Sequence, residues 1–295
     1  MVTPLDSKQA AFYGEFVVAA YDMYGSNNND MCPPPQGIPN GWALSAWINM
    51  SDFFFQIRAP KFYGIVAHEI VNPDNRVVAI RGTEDLLEWV DDAASVVLVP
   101  FSQVPSAGRV GFGFDNIYST MKIVPATHTV QGLIAEPALT GSFGDQLEQL
   151  ALMREKERDV DKNFAEGHSR RARPTVVTGH SLGAALATLF VMENSAKGKF
   201  DISLISTLAS PKVGNKGFKH AFDALSLDSW RIFNIRDLVP KLPFTIPFLL
   251  DYEPVDVGYS FDSWPFAKKN LCCYHSIYTY LHWLDSNINL DPNCV

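Results

Sequence analysis

The feature that most constrains the fold of this chain is a short turn, Gly179-His180-Ser181-Leu182-Gly183. An apolar run, Pro174 to Thr178, precedes the turn and is typical of a buried strand, while the small residues that follow it favour a helix. Glycine is needed at both ends because side chains there would collide with the neighbouring strand and helix. The pattern therefore predicts a strand–turn–helix unit in an α/β sheet, with Ser181 in a strained backbone conformation.

Strand-like and helix-like segments alternate along the rest of the chain. The strand-like runs are Phe62 to Ile70, Arg76 to Arg81, Ile202 to Ala209, Trp230 to Ile235 and Val255 to Phe261. The helix-like runs are Ser7 to Tyr24, Gln146 to Phe164, Leu182 to Lys197 and Ser276 to Ile288. This alternation predicts an α/β fold with a mainly parallel central sheet that is covered by helices on both faces.

The whole chain, residues 1–295, is predicted to form one domain. A single large α/β domain reaches this length, and no linker divides the chain. The stretch 122–144 is rich in Pro, Thr and Gly and has only a weak apolar pattern, so it is predicted to be an irregular insertion.

Charge and composition exclude several kinds of partner. The formal net charge of -8 argues against a nucleic-acid partner and against electrostatic anchoring on an anionic membrane. No stretch approaches the roughly 18 apolar residues of a transmembrane segment. Met1 to Ala20 lacks a basic segment followed by a continuous apolar core, so no signal peptide is visible. No oligomeric state is predicted, and the residues alone leave the cellular location open.

Ser181 is predicted to be a nucleophile. A serine hydroxyl reacts poorly unless its geometry and a neighbouring base activate it. The strained turn lifts the hydroxyl above the sheet, and the N-terminus of the following helix adds partial positive charge and free N–H groups. The alternative is a tight strand–helix connection in which the serine is incidental.

Chain order indicates a base and an acid for this serine, because an aspartate or glutamate and then a histidine follow the nucleophile in this kind of site. Of the three later histidines, His220 lies in a polar helical stretch and His282 lies within the last predicted helix. His275 lies where a loop meets that helix and is the predicted general base. Asp237 follows a strand, where α/β active sites form, and is the predicted acid. The competing aspartates are Asp223, Asp228, Asp251, Asp256 and Asp262.

Five segments together resemble the class 3, or fungal-type, lipase family of the α/β-hydrolase superfamily. They are Arg81-Gly82-Thr83 with Trp89 and Asp92, Thr178 to Ala187, Ser210 to Asn215, Asn234 to Pro243, and His275 to Tyr278. The sequence departs from the family at Ala184 and Ala209, where glycine is usual. The resemblance implies an α/β-hydrolase fold in which Ser181, Asp237 and His275 are the catalytic residues.

The resemblance also implies an oxyanion hole and a lid. The backbone N–H groups of Thr83 and Leu182 would bind the oxyanion, and Asp92 would hold the Thr83 hydroxyl as a third donor. The lid would be a helix at about 84–94, whose apolar residues contact the substrate; these are Leu86, Leu87, Trp89 and Val90. The alternative for this segment is an ordinary amphipathic surface helix. A second apolar strip, Leu242 to Leu250, is expected at the pocket mouth unless it folds into the core.

The implied activity is hydrolysis of carboxylic esters, with acylglycerols as substrates at a lipid–water interface and no metal or cofactor. A phospholipase or feruloyl-type esterase is the alternative within the same chemistry. An inactive lipase-like binding module is the non-enzyme alternative, and the complete set of predicted catalytic residues argues against it.

The four cysteines are Cys32, Cys272, Cys273 and Cys294, and they lack metal-type spacing. Their number allows disulfides or free thiols. Because the family often ties its two ends together, the resemblance suggests a Cys32–Cys294 bridge, which would favour a secreted protein.

Overall fold

A computed structural model describes residues 3–51, 59–83, 97–130, 132–161, 174–244 and 251–295. The helices are α1 Ser7–Ser26, α2 Phe112–Thr120, α3 Phe143–Asp161, α4 Leu182–Lys197, α5 Lys216–Asp223, α6 Leu271–His275 and α7 Ile277–Leu284. The strands are β1 Trp42–Met50, β2 Lys61–Glu69, β3 Arg76–Ile80, β4 Leu98–Pro100, β5 Arg109–Gly111, β6 Lys122–Thr129, β7 Gly132–Ala135, β8 Pro174–His180, β9 Asp201–Leu208, β10 Gly214–Asn215, β11 Ser229–Asn234, β12 Tyr252–Glu253 and β13 Tyr259–Phe261.

The main sheet has nine strands in the order β13-β11-β9-β8-β3-β2-β1-β6-β7. The strands from β13 to β3 pair in parallel. The pairings from β3 to β7 are antiparallel. The predicted α/β architecture is confirmed, with the sheet parallel on the side that carries the predicted catalytic residues. A smaller sheet has the order β12-β10-β5-β4.

Apolar side chains fill a layer on each face of the main sheet. One layer contains α1 and α7, with Phe16 and Leu281 among its buried residues. The other contains α2, α3 and α4, with Leu147 and Phe190 among its buried residues. Alternate residues of β3 belong to different layers, because successive side chains of a strand point to opposite faces. The sheet is therefore covered on both faces, as predicted.

Helix α1, near the N-terminus of the chain, places Tyr21 at the end of the parallel strands. The Asp6 carboxylate caps it by accepting from the backbone N–H of Gln9. Gly14 allows α7 to pack closely, since a Cβ there would lie 2.4 Å from Leu281 Cδ2. Tyr21 consequently lies beside the turn between β8 and α4, where its hydroxyl contacts His180.

The predicted irregular insertion at 122–144 is wrong in its first part. Strand β6 pairs with β1 on one side and with β7 on the other, forming a hairpin at the edge of the sheet. Ile123, Val124 and Ala126 are buried. Pro125 obscured this strand in the sequence, although the proline carbonyl still accepts from Glu136 N at 2.9 Å.

The suggested Cys32–Cys294 bridge is also wrong, because Cys294 is bonded to Cys273 and Cys32 is a free thiol. The C-terminal turn Pro292–Cys294 lies against the segment before α6, where Lys268 N donates to the Cys294 carbonyl at 2.9 Å. Cys273 points inward from α6, while the neighbouring Cys272 is exposed and free.

The predicted lid at about 84–94 lies outside the described residues, as do Leu86, Leu87, Trp89, Val90 and Asp92 within it. Residues 245–250 of the second apolar strip also lie outside them. Among the residues that are described, no helix is long and apolar enough to cross a membrane.

Candidate active site

Ser181 joins β8 to α4 in a strained backbone conformation, with φ 57° and ψ -126°. Positive φ is costly for a residue with a Cβ and persists only where the surroundings impose it. Here Ser181 N donates to the Leu208 carbonyl at 3.0 Å, and the Ser181 carbonyl accepts from Ala184 N at 3.0 Å. The strain predicted at Ser181 is confirmed.

The two glycines of the turn are required by close backbone contacts. A Cβ on Gly179 would lie 2.5 Å from the Gly183 carbonyl oxygen. A Cβ on Gly183 would lie 2.2 Å from the Ile80 carbonyl oxygen. Both distances are far below van der Waals contact, so any side chain would push α4 away from β8 and β3. This confirms the reason for which glycine was predicted at both positions.

His275 and Asp237 lie in contact at the same end of the sheet. His275 is the last residue of α6, and Asp237 follows β11. Their closest atoms are His275 Nδ1 and Asp237 Oδ2, at 2.7 Å, and both side chains are buried. Asp237 also accepts from Tyr280 Oη at 2.7 Å and from Val239 N at 3.0 Å. With Nδ1–H donating to the carboxylate, Nε2 of His275 is the ring atom that can accept a proton.

The other two candidate histidines lie elsewhere. His282 Nδ1 donates to the Ile288 carbonyl at 2.7 Å, and its ring lies near Phe266. His220 is exposed on α5. Within the part of the chain that the structure describes, no hydrogen bond joins either histidine to Asp237.

His180 links the serine turn to His275. Its Nε2 lies 2.9 Å from the His275 carbonyl oxygen, and the two imidazole centroids are 4.6 Å apart. Its Nδ1 lies 2.9 Å from Tyr21 Oη. Burial, and then the charge of a protonated His275, hold the pKa of His180 well below its usual range. Sequence reasoning gave His180 and Tyr21 no role.

The segment that leads to Thr83 lies against Ser181. A Cβ on Gly82 would lie 2.8 Å from Ser181 Cβ, and the Gly82 N–H donates to Tyr21 Oη at 2.8 Å. Arg81 fixes this segment: its guanidinium donates to the Phe62 carbonyl and lies 3.6 Å from the Tyr24 ring centroid. Thr83, half-buried, is the next residue, and Leu182 N belongs to the first residue of α4.

The Ser181 side chain is 1% exposed, and its hydroxyl has no hydrogen-bond partner among the described residues. Native structures leave few buried hydroxyls unpaired, and catalytic positions are one of the recognised reasons. Across the same residues, no group of three His, Cys, Asp or Glu side chains is placed to hold a metal ion.

A strained serine between a parallel strand and a helix, beside a histidine–aspartate pair, is the arrangement of an α/β-hydrolase. The family model for "Lipase (class 3)" matches residues 77–246. The chain therefore belongs to the class 3 lipase family, as the sequence segments indicated.

Relatives and solved structures agree with this assignment. The chain is similar to phospholipase A1-II 1 of Oryza sativa subsp. indica, with 29% identity over 257 residues that cover 82% of this chain and 57% of the relative. The chain thus spans less than two thirds of that relative's length. The Rhizomucor miehei lipase in its propeptide complex aligns with TM-score 0.59 and 19% identity, over 95% of this chain and 78% of that one. The mono- and diacylglycerol lipase from Aspergillus oryzae aligns with TM-score 0.56 and 21% identity, over 87% and 80%. These structural likenesses establish the α/β-hydrolase fold.

Proposed function

We propose that this protein is a serine carboxylic-ester hydrolase that cleaves acyl lipids. The observation that carries the proposal is the buried His275–Asp237 pair, 2.7 Å apart, beside the strained turn that holds Ser181. Family membership supports the same chemistry.

In the proposed reaction, Ser181 Oγ attacks the ester carbonyl carbon while His275 Nε2 takes the hydroxyl proton. The tetrahedral intermediate then expels the alcohol, which receives that proton from His275. A water molecule attacks the acyl-serine in the same way, so that a carboxylic acid leaves and the serine is restored. Asp237 holds the imidazole in the required tautomer and stabilises its charged form.

The proposed oxyanion donors are the backbone N–H groups of Leu182 and Thr83. The N–H of Leu182 begins α4, where the helix dipole favours negative charge. Thr83 is supported by the contact between Gly82 and Ser181. The Thr83 hydroxyl as a third donor and Asp92 as its support remain part of the proposal. Each preorganised donor contributes about 10²–10³ in rate.

Acylglycerols are the first proposed substrate class and glycerophospholipids the second. The second is favoured by the curated relative, named a phospholipase A1, that aligns over 82% of this chain. Triolein emulsions and dioleoyl-phosphatidylcholine vesicles present the same acyl chain, so the fatty acid released from each gives the preference directly.

We also place contact with the lipid surface at an apolar rim formed by Ile235, Trp264 and Leu271, which are 43%, 45% and 47% exposed. Lys269 Nζ lies 4.0 Å from the Trp264 ring centroid, and Arg236 Cζ lies 4.9 Å from it. Ile235 precedes Asp237 by two positions, and Leu271 precedes His275 by four. Exposed apolar side chains beside a site mark a binding surface, and the Lys269 cation beside Trp264 suits a lipid headgroup layer, whereas Arg236 is paired with Asp262.

The proposed function is tested with p-nitrophenyl esters from acetyl to stearoyl, with and without an emulsion. Ser181→Ala is expected to lower kcat by roughly 10⁶-fold without unfolding the protein. Wild type is expected to gain rate with longer acyl chains and with the emulsion. Retained activity in Ser181→Ala would remove the proposed nucleophile. A preference for the acetyl ester with no gain from the emulsion would keep the hydrolase and remove the lipid substrate.

A further inference from the structure

The imidazole of His180 lies where three separate chain segments meet. Its own residue ends β8 and precedes Ser181, the Tyr21 hydroxyl comes from α1, and the His275 carbonyl comes from α6. His180 is 3% exposed, and the Tyr280 ring centroid lies 6.0 Å from the His180 ring centroid.

Partners on both ring nitrogens fix the tautomer. A carbonyl oxygen only accepts, so Nε2 of His180 must carry the proton and donate to His275. Burial holds the ring neutral, which leaves Nδ1 as an acceptor for the Tyr21 hydroxyl. The Tyr21 oxygen in turn accepts from the Gly82 N–H at 2.8 Å. Three hydrogen bonds therefore run in one direction, from Gly82 through Tyr21 and His180 to His275.

We propose that His180 is a positioning residue, which sets the His275 imidazole relative to Ser181 through the hydrogen bond to the His275 backbone. The inference rests on the proposed function of Ser181 and His275. His180 is the residue before Ser181 in the chain, and its ring is hydrogen-bonded to α6. The ring therefore fixes the distance between the serine turn and α6. Through Tyr21 the same ring fixes Gly82, whose Cα lies against Ser181. A displacement of about 1 Å between reacting groups can cost about 10²-fold in rate.

The test compares His180→Leu with His180→Gln. Leucine fills much of the volume but provides no donor, whereas the glutamine amide can place an N–H near the position of Nε2. The matched control is His282→Leu, since His282 also donates to a backbone carbonyl but lies outside the site. Each variant is assayed for kcat/KM on p-nitrophenyl butyrate and on ethyl butyrate, and its unfolding free energy is measured.

The two esters differ in their need for proton delivery by His275, and the unfolding free energy reports on folding separately. Ethanol must receive a proton from His275 as it leaves, whereas p-nitrophenolate leaves without one. His180→Leu is expected to lose about 100-fold on ethyl butyrate and markedly less on p-nitrophenyl butyrate. His180→Gln is expected to recover at least tenfold of the loss on ethyl butyrate, and His282→Leu should keep wild-type rates on both. Losses on both esters that follow the loss of unfolding free energy, or no recovery with glutamine, would make His180 a core residue only.

A second measurement separates this inference from the proposed function. In ¹⁵N NMR spectra of the folded protein, His180 should remain the neutral Nε2–H tautomer throughout the range in which histidines ordinarily titrate. A titrating His180, or the Nδ1–H tautomer, overturns the hydrogen-bond direction whatever the enzyme hydrolyses. Inactive wild type with the expected spectrum would instead count against the proposed function and, with it, the positioning role.

Discussion

At the scale of single residues, the Asp237 carboxylate is in contact with two buried donors. Oδ2 accepts from both His275 Nδ1 and Tyr280 Oη, each at 2.7 Å. Burial first, and then the negative charge of Asp237, raise the pKa of Tyr280 well above its usual range, so the hydroxyl stays protonated and donating. Tyr280 therefore supplies a second buried donor to the carboxylate oxygen that orients His275.

Tyr280→Phe is expected to lower the unfolding free energy by about 1 kcal/mol, because the buried Asn234 N loses its acceptor and Asp237 loses a buried donor. Urea unfolding of the variant and of wild type measures the difference. Tyr278→Phe on the same helix is the control, since Tyr278 is only half-buried, and an equal loss in both variants contradicts the role given to Tyr280.

Chain order and local chemistry were enough to select His275 and Asp237, and the structure places them in contact. The partners around them were not predictable. Tyr21 meets His180 across 159 positions, and Tyr280 meets Asp237 across 43, so neither contact leaves a local pattern. The glycines were predictable because the five-residue pattern marks the turn, although the contact that requires Gly183 is with Ile80 of β3.

At the scale of secondary structure elements, the difference between local patterns and long-range contacts also explains which strands could be predicted. β8 and its helix follow from one continuous apolar run and a turn. Strand β1 received no assignment, because its buried positions include the polar Ser45 and Asn49 and its second partner, β6, is distant in sequence. The hairpin β6–β7 was missed because Pro125 interrupts β6 and its partner β1 is distant in sequence.

The apolar rim is the element-scale feature that can be tested without touching the proposed catalytic residues. Leu271→Ser is expected to weaken sedimentation with phosphatidylcholine vesicles several-fold, because burying an exposed leucine contributes about 1.5–3 kcal/mol. Hydrolysis of soluble p-nitrophenyl butyrate should stay within about twofold of wild type.

The matched control for the rim is Ile134→Ser. Ile134 is 48% exposed, close to the 47% of Leu271, but lies on β7 at the opposite edge of the sheet. If Ile134→Ser weakens vesicle binding as much as Leu271→Ser does, general surface hydrophobicity explains the binding and the rim has no special role.

At the scale of the whole molecule, both ends of the described chain are fastened to the edge that carries Asp237 and His275. Near the N-terminus, the Trp230 indole donates to the Pro4 carbonyl at 3.1 Å. At the C-terminus, the Cys273–Cys294 disulfide joins the last turn to α6, the helix that ends at His275. The helix that carries the proposed base is therefore joined covalently to the C-terminal turn.

Removing this tie is expected to lower global stability. The disulfide closes a separation of 21 residues, and a loop of similar length contributes about 3 kcal/mol by restricting the unfolded chain. Cys294→Ser should lower the unfolding free energy in urea by about that amount. The unfolding free energy of Cys272→Ser, which alters the exposed free neighbour, should stay within about 0.5 kcal/mol of wild type.

Alkylation without reductant should modify Cys32 and Cys272 only, and modification of Cys273 or Cys294 would contradict the pairing. Because α6 carries His275, Cys294→Ser should also lose ester hydrolysis at lower urea concentrations than Cys272→Ser does, which links the chain terminus to the proposed site.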